Sequence, residues 1–241
     1  MSSVRAVFFD LGGTLFSYRE IGSWTLQALL GSAKQLGVEA PVREIGRAYR
    51  AASREVNAGY VDRPFYLHRD LFRDTFRRFA EHLGGEPSEP FLDWSEAALR
   101  EAVVGNMVLR DDCLDTLRTL REKGLYLSIV SNIDDDHLVP MVEDSGLTAV
   151  LDHWTSSEEA RSCKPDARFF ELALAKAGCD AGNVMFVGDS PEHDVQGAKP
   201  LGMTTVLIRE PGSPPPFQTG RVDVKPDHEI ASLSELVDLT G

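Results

Sequence analysis

Four short apolar runs constrain this chain more than any other feature. They are VRAVFF (residues 4–9), LYLSIV (125–130), VMFVG (184–188) and TTVLI (204–208). Each is too short for a helix, is rich in β-formers and reads as a buried strand. The stretches DDCLDTLRTLREKG, DARFFELALAKAG and PEHDVQGAKPLG between the later runs have helical character. Strands alternating with helices at this spacing predict an α/β fold, a Rossmann-like three-layer core with a mostly parallel sheet. After the last run, a Pro/Gly stretch (209–220) reads as a loop, and HEIASLSELVDL as a closing strand and helix.

Residues 21–104 break this rhythm. IGSWTLQALLGSAKQLG shows apolar residues at three- and four-residue spacing and stops at a glycine. PVREIGRAYRAASREVN opens on a proline suited to a first helical position. RPFYLHRDLFRDTFRRFAEHLGG is amphipathic, and SEPFLDWSEAALREAVV opens on a capping serine. Trp24 and Trp94 are expected in the core of this helical region. Its charge also differs, with 12 Lys and Arg against 13 Asp and Glu in residues 16–105, whereas the whole chain carries −13. Residues 1–15 and 106–241 are therefore expected to form the core domain, with 16–105 inserted as a helical domain.

The same composition narrows the function. A net charge of −13 opposes nucleic acid as a partner, since that binding rests on neutralising phosphates. No apolar run approaches the roughly 20 residues of a membrane span. The N-terminus enters a strand without a signal-peptide pattern. Cys113, Cys163 and Cys179 form no CxxC pair, so neither a zinc site nor a disulfide framework is expected. A cytoplasmic protein is the simplest reading.

Polar residues gather where the strands end. Asp10 follows the first strand, Ser131 and Asn132 the second, and Asp189 the VMFVG run; Lys164 stands in SCKPD before a helix. In a parallel sheet such carboxyl ends converge on a ligand crevice. Two carboxylates, a hydroxyl, an amide and an ammonium suit phosphoryl transfer. A carboxylate can act as nucleophile, Mg²⁺ takes hard oxygen ligands, and cationic donors neutralise phosphate oxygens.

FFDLGGTL, VSN, KPD and GDSPEHDVQGA stand in the order and spacing of the haloacid dehalogenase-like (HAD) superfamily, which the core of this chain resembles. The helical insert falls where that family places a cap, between the first and second motifs. The resemblance implies a hydrolase, most simply a Mg²⁺-dependent phosphatase forming an aspartyl phosphate on a small phosphorylated metabolite. By matching position, Asp10 resembles the nucleophile and Lys164 the lysine that neutralises nucleophile and phosphate. Thr14, Ser131, Asn132 and Lys164 match the phosphate-binding set, Thr14 also steadying the first loop. Asp10, the Gly12 carbonyl, Asp189 and Asp194 match the metal ligands, Asp194 directly or through water.

Gly12 departs from the family pattern, since phosphatases of this kind usually carry aspartate there as general acid and base. Its absence opens two other readings. One is a phosphate- and Mg²⁺-binding regulatory module with little turnover. The other is C–halogen or C–P cleavage, made less favourable by the retained Asp189 and Asp194 and by an unmatched Lys34, the single lysine in the insert. Tyr66 and His68 are candidates to replace the acid. The arginine stripes Arg43, Arg47, Arg50, Arg54 and Arg69, Arg73, Arg77 are expected mainly as solvated faces with local pairs, such as Asp70 with Arg73 and Asp74 with Arg77.

Overall fold

The structure, a computed structural model, describes residues 3–210 and 223–241. The expected Pro/Gly loop lies, from residue 211 on, outside them. The chain forms two compact units, residues 1–19 with 108–241 and residues 20–107. Ser17 and Tyr18 thus belong to the first unit.

That unit is built on a six-stranded, wholly parallel sheet. In chain order its elements are β1 (Ala6–Phe9), α5 (Cys113–Glu122), β2 (Tyr126–Ser131), α6 (Asp135–Asp144), β3 (His153–Ser156) and the short α7 (Ser157–Ala160). Then come α8 (Ala167–Ala177), β4 (Val184–Gly188), a helical segment from Pro191 to Leu201 containing α9 (Gln196–Ala198), β5 (Thr204–Ile208), β6 (His228–Ile230) and α10 (Leu236–Leu239). The numbers α1 to α4 belong to the second unit. Strand order is β3-β2-β1-β4-β5-β6. The chain runs outward from β1 to β3, then returns to place β4 on the other side of β1. The strand order therefore reverses between β1 and β4, where sheets of this kind bind ligands beyond their carboxyl ends.

Ala6, Val7, Phe8 and Phe9 are all fully buried, which is why the first strand reads as a continuous apolar run rather than an alternating one. One face of the sheet packs Ala6, Phe8, Val130 and Phe186 against Phe169, Phe170 and Ala173 of α8. Each such aromatic contributes about 1.5–3 kcal/mol by burial. The third strand begins at His153, just after Asp152, whose carboxylate accepts from the Leu127 amide at 2.9 Å.

The second unit contains α1 (Ile21–Gln35), α2 (Val42–Tyr60), α3 (His68–His82) and α4 (Glu89–Val104). Pro41 stands one residue before the helix it was expected to open and occupies the N-cap. Ser88 caps α4 through the Phe91 amide. Leu29, Ile45, Phe76, Phe79, Leu92 and Leu99 form the core. Trp94, expected inside, is 38% exposed and lies across Gly31. Arg73 does not pair with Asp70 but bridges from α3 to Glu89, Asp93 and Glu96 of α4, while Arg77 does pair with Asp74.

Asp227 ties the segment entering β6 to β5. Its carboxylate accepts from the Thr205 amide (2.9 Å) and hydroxyl (2.7 Å) and from Lys199 Nζ (2.7 Å). Partial burial raises its pKa, but Lys199 and the Thr205 donors outweigh it and bring the pKa down to about 2. A depressed carboxyl pKa stabilises the fold above the unfolded value of about 4. That stabilisation is lost as the pH falls toward about 2. Asp227→Asn is expected to lower the urea midpoint at pH 7, with the gap to wild type closing between pH 4 and 2, as read by denaturation at several pH values.

Candidate active site

Asp10 follows β1 directly, and its amide donates to Val187 O on β4 at 2.9 Å. This hydrogen bond holds it at the point where the strand order reverses. The Leu11–Phe16 segment then folds back on itself: Gly13 N donates to Phe16 O at 2.8 Å and Phe16 N to Leu11 O at 3.0 Å. Gly13 adopts φ of 78°, a conformation glycine takes without strain. A Cβ there would also lie 2.2 Å from Asp189 Oδ2, so a side chain is excluded twice. Arg110, buried, donates from Nη2 to Gly13 O at 2.6 Å and locks the turn from behind.

Asp10 Oδ1 accepts from Ser131 Oγ at 2.9 Å and Lys164 Nζ at 2.7 Å. Oδ2 takes no hydrogen bond from any described residue. Lys164 also donates to Asp194 Oδ1 at 2.6 Å, and its ammonium lies 5.3 Å from the centroid of the Phe186 ring. The lysine side chain is 1% exposed. Asn132 fixes the backbone that carries it, accepting from Lys164 N at 2.7 Å and donating to Lys164 O at 3.0 Å. Both polar atoms of Asn132 are thus engaged on Lys164, not turned toward the carboxylates.

Asp194 comes from the π-helical turn Pro191–Val195 that follows β4. Such turns recur at functional sites because they re-aim a side chain. Its Oδ2 accepts from Ser190 N at 3.0 Å. A Cβ on Gly188 would sit 2.1 Å from that oxygen, so the strand must end in glycine for the carboxylate to reach inward. Asp10, Asp189 and Asp194 each place a carboxylate oxygen within 4.8 Å of the others. Thr14 is fully buried beneath the turn, its Oγ1 without a partner among the described residues.

Two unit charges 4.8 Å apart repel by about 3 kcal/mol at an effective dielectric of about 20. Lys164 offsets part of this. Burial, then the charges of Asp10 and Asp194, push the Asp189 pKa well above the usual carboxylate range. Burial raises Asp194, Lys164 pulls it down and Asp10 pushes it up, leaving it at about 6. Lys164 is lowered by burial but raised more by the two aspartates, so it stays charged. With all three carboxylates ionised, they and the one ammonium sum to −2, which one divalent cation would balance. The donor set, all hard oxygens, fits Mg²⁺.

Five of the residues singled out in the sequence therefore come together: Asp10, Ser131, Lys164, Asp189 and Asp194. Tyr66 and His68 lie in the helical unit, where Tyr66 stands edge-on to Tyr60 at 5.2 Å and 5.0 Å from the His68 ring. The sequence reading missed Arg110 and Tyr18. The Tyr18 ring lies over the Gly12–Gly13 turn. No motif marks either residue, although an aromatic with a polar tip so soon after a glycine turn was the available signal for Tyr18.

A family model of haloacid dehalogenase-like hydrolases matches residues 4–202. The chain belongs to that family. Over 98% of its length it is 30% identical to ribulose-1,5-bisphosphate 5-phosphatase of Halopiger xanaduensis, covering 99% of that protein. It is 27% identical to (S)-2-haloacid dehalogenase 4A of Burkholderia cepacia, over 98% of this chain and 94% of the other. A putative HAD-hydrolase, YfnB, from Bacillus subtilis, solved with magnesium, superposes with a TM-score of 0.79 at 18% identity and 99% coverage of both chains. This HAD-like hydrolase therefore shares its fold with that protein, and its sequence is similar to members with two different chemistries.

Removing the central cation exposes the repulsion it masks. Breaking a buried ion pair from one side costs about 3–5 kcal/mol. Lys164→Met is expected to lose stability on that scale at pH 7.5 in EDTA. Burial already holds the Asp189 and Asp194 pKa values above their usual range, so the loss is expected in full at high pH and should shrink as protons bind toward pH 5. Urea denaturation at the two pH values checks this.

Proposed function

We propose that this HAD-like hydrolase is a Mg²⁺-dependent phosphatase of a small phosphorylated metabolite, working through an aspartyl phosphate on Asp10. The observation that supports it most is the convergence of a half-engaged Asp10 carboxylate with two further acids around one buried lysine. Asp10 Oδ2, left without a donor among the described residues, attacks phosphorus while Lys164 and Ser131 hold Oδ1. The ester oxygen leaves with its bonding pair, and water then attacks phosphorus to free Asp10. Lys164, already charged, supports the phosphoryl oxygens through both displacements. Asp10, the Gly12 carbonyl, Asp189 and Asp194 are the groups that would hold Mg²⁺, whose charge would stabilise the phosphoryl oxygens.

Similarity to a ribulose-bisphosphate phosphatase supports a small sugar- or metabolite-phosphate substrate. The helical unit would then act as the family's cap and choose among such substrates. Among the described residues no helix is long and apolar enough to cross a membrane, and Cys113, Cys163 and Cys179 form no disulfide; a cytoplasmic setting is part of this reading.

The dehalogenase relatives favour a second reading, in which Asp10 attacks carbon and halide leaves. Against it stands the −2 charge of the site, which would repel an anionic haloacid unless a cation were bound. A screen of phosphorylated metabolites and 2-haloacids, each with Mg²⁺ or EDTA, separates the readings. The expected result is Mg²⁺-dependent phosphate release that falls at least ~10³-fold in Asp10→Asn, a loss on the scale of a nucleophile's removal. Halide release undiminished by EDTA would transfer the assignment to the dehalogenase.

A further inference from the structure

The turn after β1 has no side chain at position 12, yet the space such a side chain would enter is filled. A Cβ built on Gly12 would lie 2.1 Å from Tyr18 Oη and 2.8 Å from its Cζ. The same ring reaches Gly13, whose Cβ would lie 2.8 Å from Tyr18 Cε2. Tyr18 arrives six residues later in the chain and is held there independently of its ring. Its amide donates to Glu210 Oε2 at 3.2 Å, Ser17 Oγ donates to Glu210 Oε1 at 2.7 Å, and Arg19 Nε pairs with Oε1 at 2.9 Å. Glu210 follows β5, so the 17–19 segment is pinned beyond the carboxyl end of that strand. The phenol hydroxyl makes no hydrogen bond to any described residue. A phenol keeps its proton at neutral pH, with an ordinary pKa of about 10, so it is a donor.

We propose that Tyr18 Oη supplies the hydrogen bond to the leaving-group oxygen that a side chain at position 12 would otherwise provide. The assignment rests on the phosphatase reading and deepens it. Asp10 Oδ2 forms the bond to phosphorus, the P–O bond to the leaving group breaks, and its electron pair stays on the departing oxygen. Tyr18 keeps its proton and donates a hydrogen bond to that oxygen, which leaves as the anion and takes a proton from water afterwards. A donor of this kind matters most when the departing oxygen is strongly basic, and little when it is an acyl or nitrophenyl oxygen.

The test is kcat/KM for a series of phosphate monoesters running from nitrophenyl to alkyl leaving groups, with Mg²⁺, for wild type and Tyr18→Phe. Loss of one donor to a developing oxyanion costs about 10²- to 10³-fold. The variant should lose that much on alkyl esters and under about threefold on nitrophenyl phosphate, giving a steeper dependence on leaving-group pKa. Gly12→Ala, whose methyl would displace the hydroxyl, should steepen the dependence in the same way. Parallel dependences in wild type and Tyr18→Phe, or a faster variant across the series, would overturn the assignment and leave the phosphatase reading intact. A wild type that releases no phosphate from any ester would overturn both.

Discussion

The buried ammonium of Lys164 is the interaction on which the site depends. It stands between Asp10 and Asp194, carboxylates delivered by elements far apart in the chain, and it lies against the Phe186 ring. It offsets part of the repulsion among the acids that crowd the end of the sheet. With all three ionised, two negative charges are left over, which a hard divalent cation would balance. Much of the surrounding geometry serves this arrangement. Asn132 clamps the lysine backbone, Gly188 leaves room for Asp194, and Gly13 leaves room for Asp189.

The fold could be read from the chain because its four inner strands are buried on both faces and appear as largely apolar runs. The converging carboxyl ends were also legible, since Asp10, Ser131 and Asp189 each lie at or just after the end of a strand. Asp194 was legible through its motif, though the π-helical turn that aims it was not. Asn132 was placed among the phosphate-binding groups. In the structure its amide serves the Lys164 backbone, a pairing across 32 residues that no local pattern announces.

Trp94, Arg110 and Tyr18 show where sequence reasoning stops. Trp94 has the bulk of a core residue, but Gly31 offers it a surface slot and smaller side chains fill the interior. Arg110 reads as one more charge beside two aspartates, and its work is a single bond to a carbonyl 97 residues earlier. Tyr18 is set by Glu210, nearly two hundred residues downstream. The missing side chain at position 12 was visible in the sequence; the ring that fills its place was visible only in three dimensions.

In the proposed reaction Asp10 carries the phosphoryl group. Acid quenching during turnover, borohydride reduction and peptide mass mapping test it most directly, because reduction of an acyl phosphate converts the aspartate to homoserine. Homoserine is expected at position 10 only when substrate is present, and at no other aspartate. Phosphate release with Asp10 unmodified at every quench time, or homoserine at Asp189 or Asp194, would contradict it.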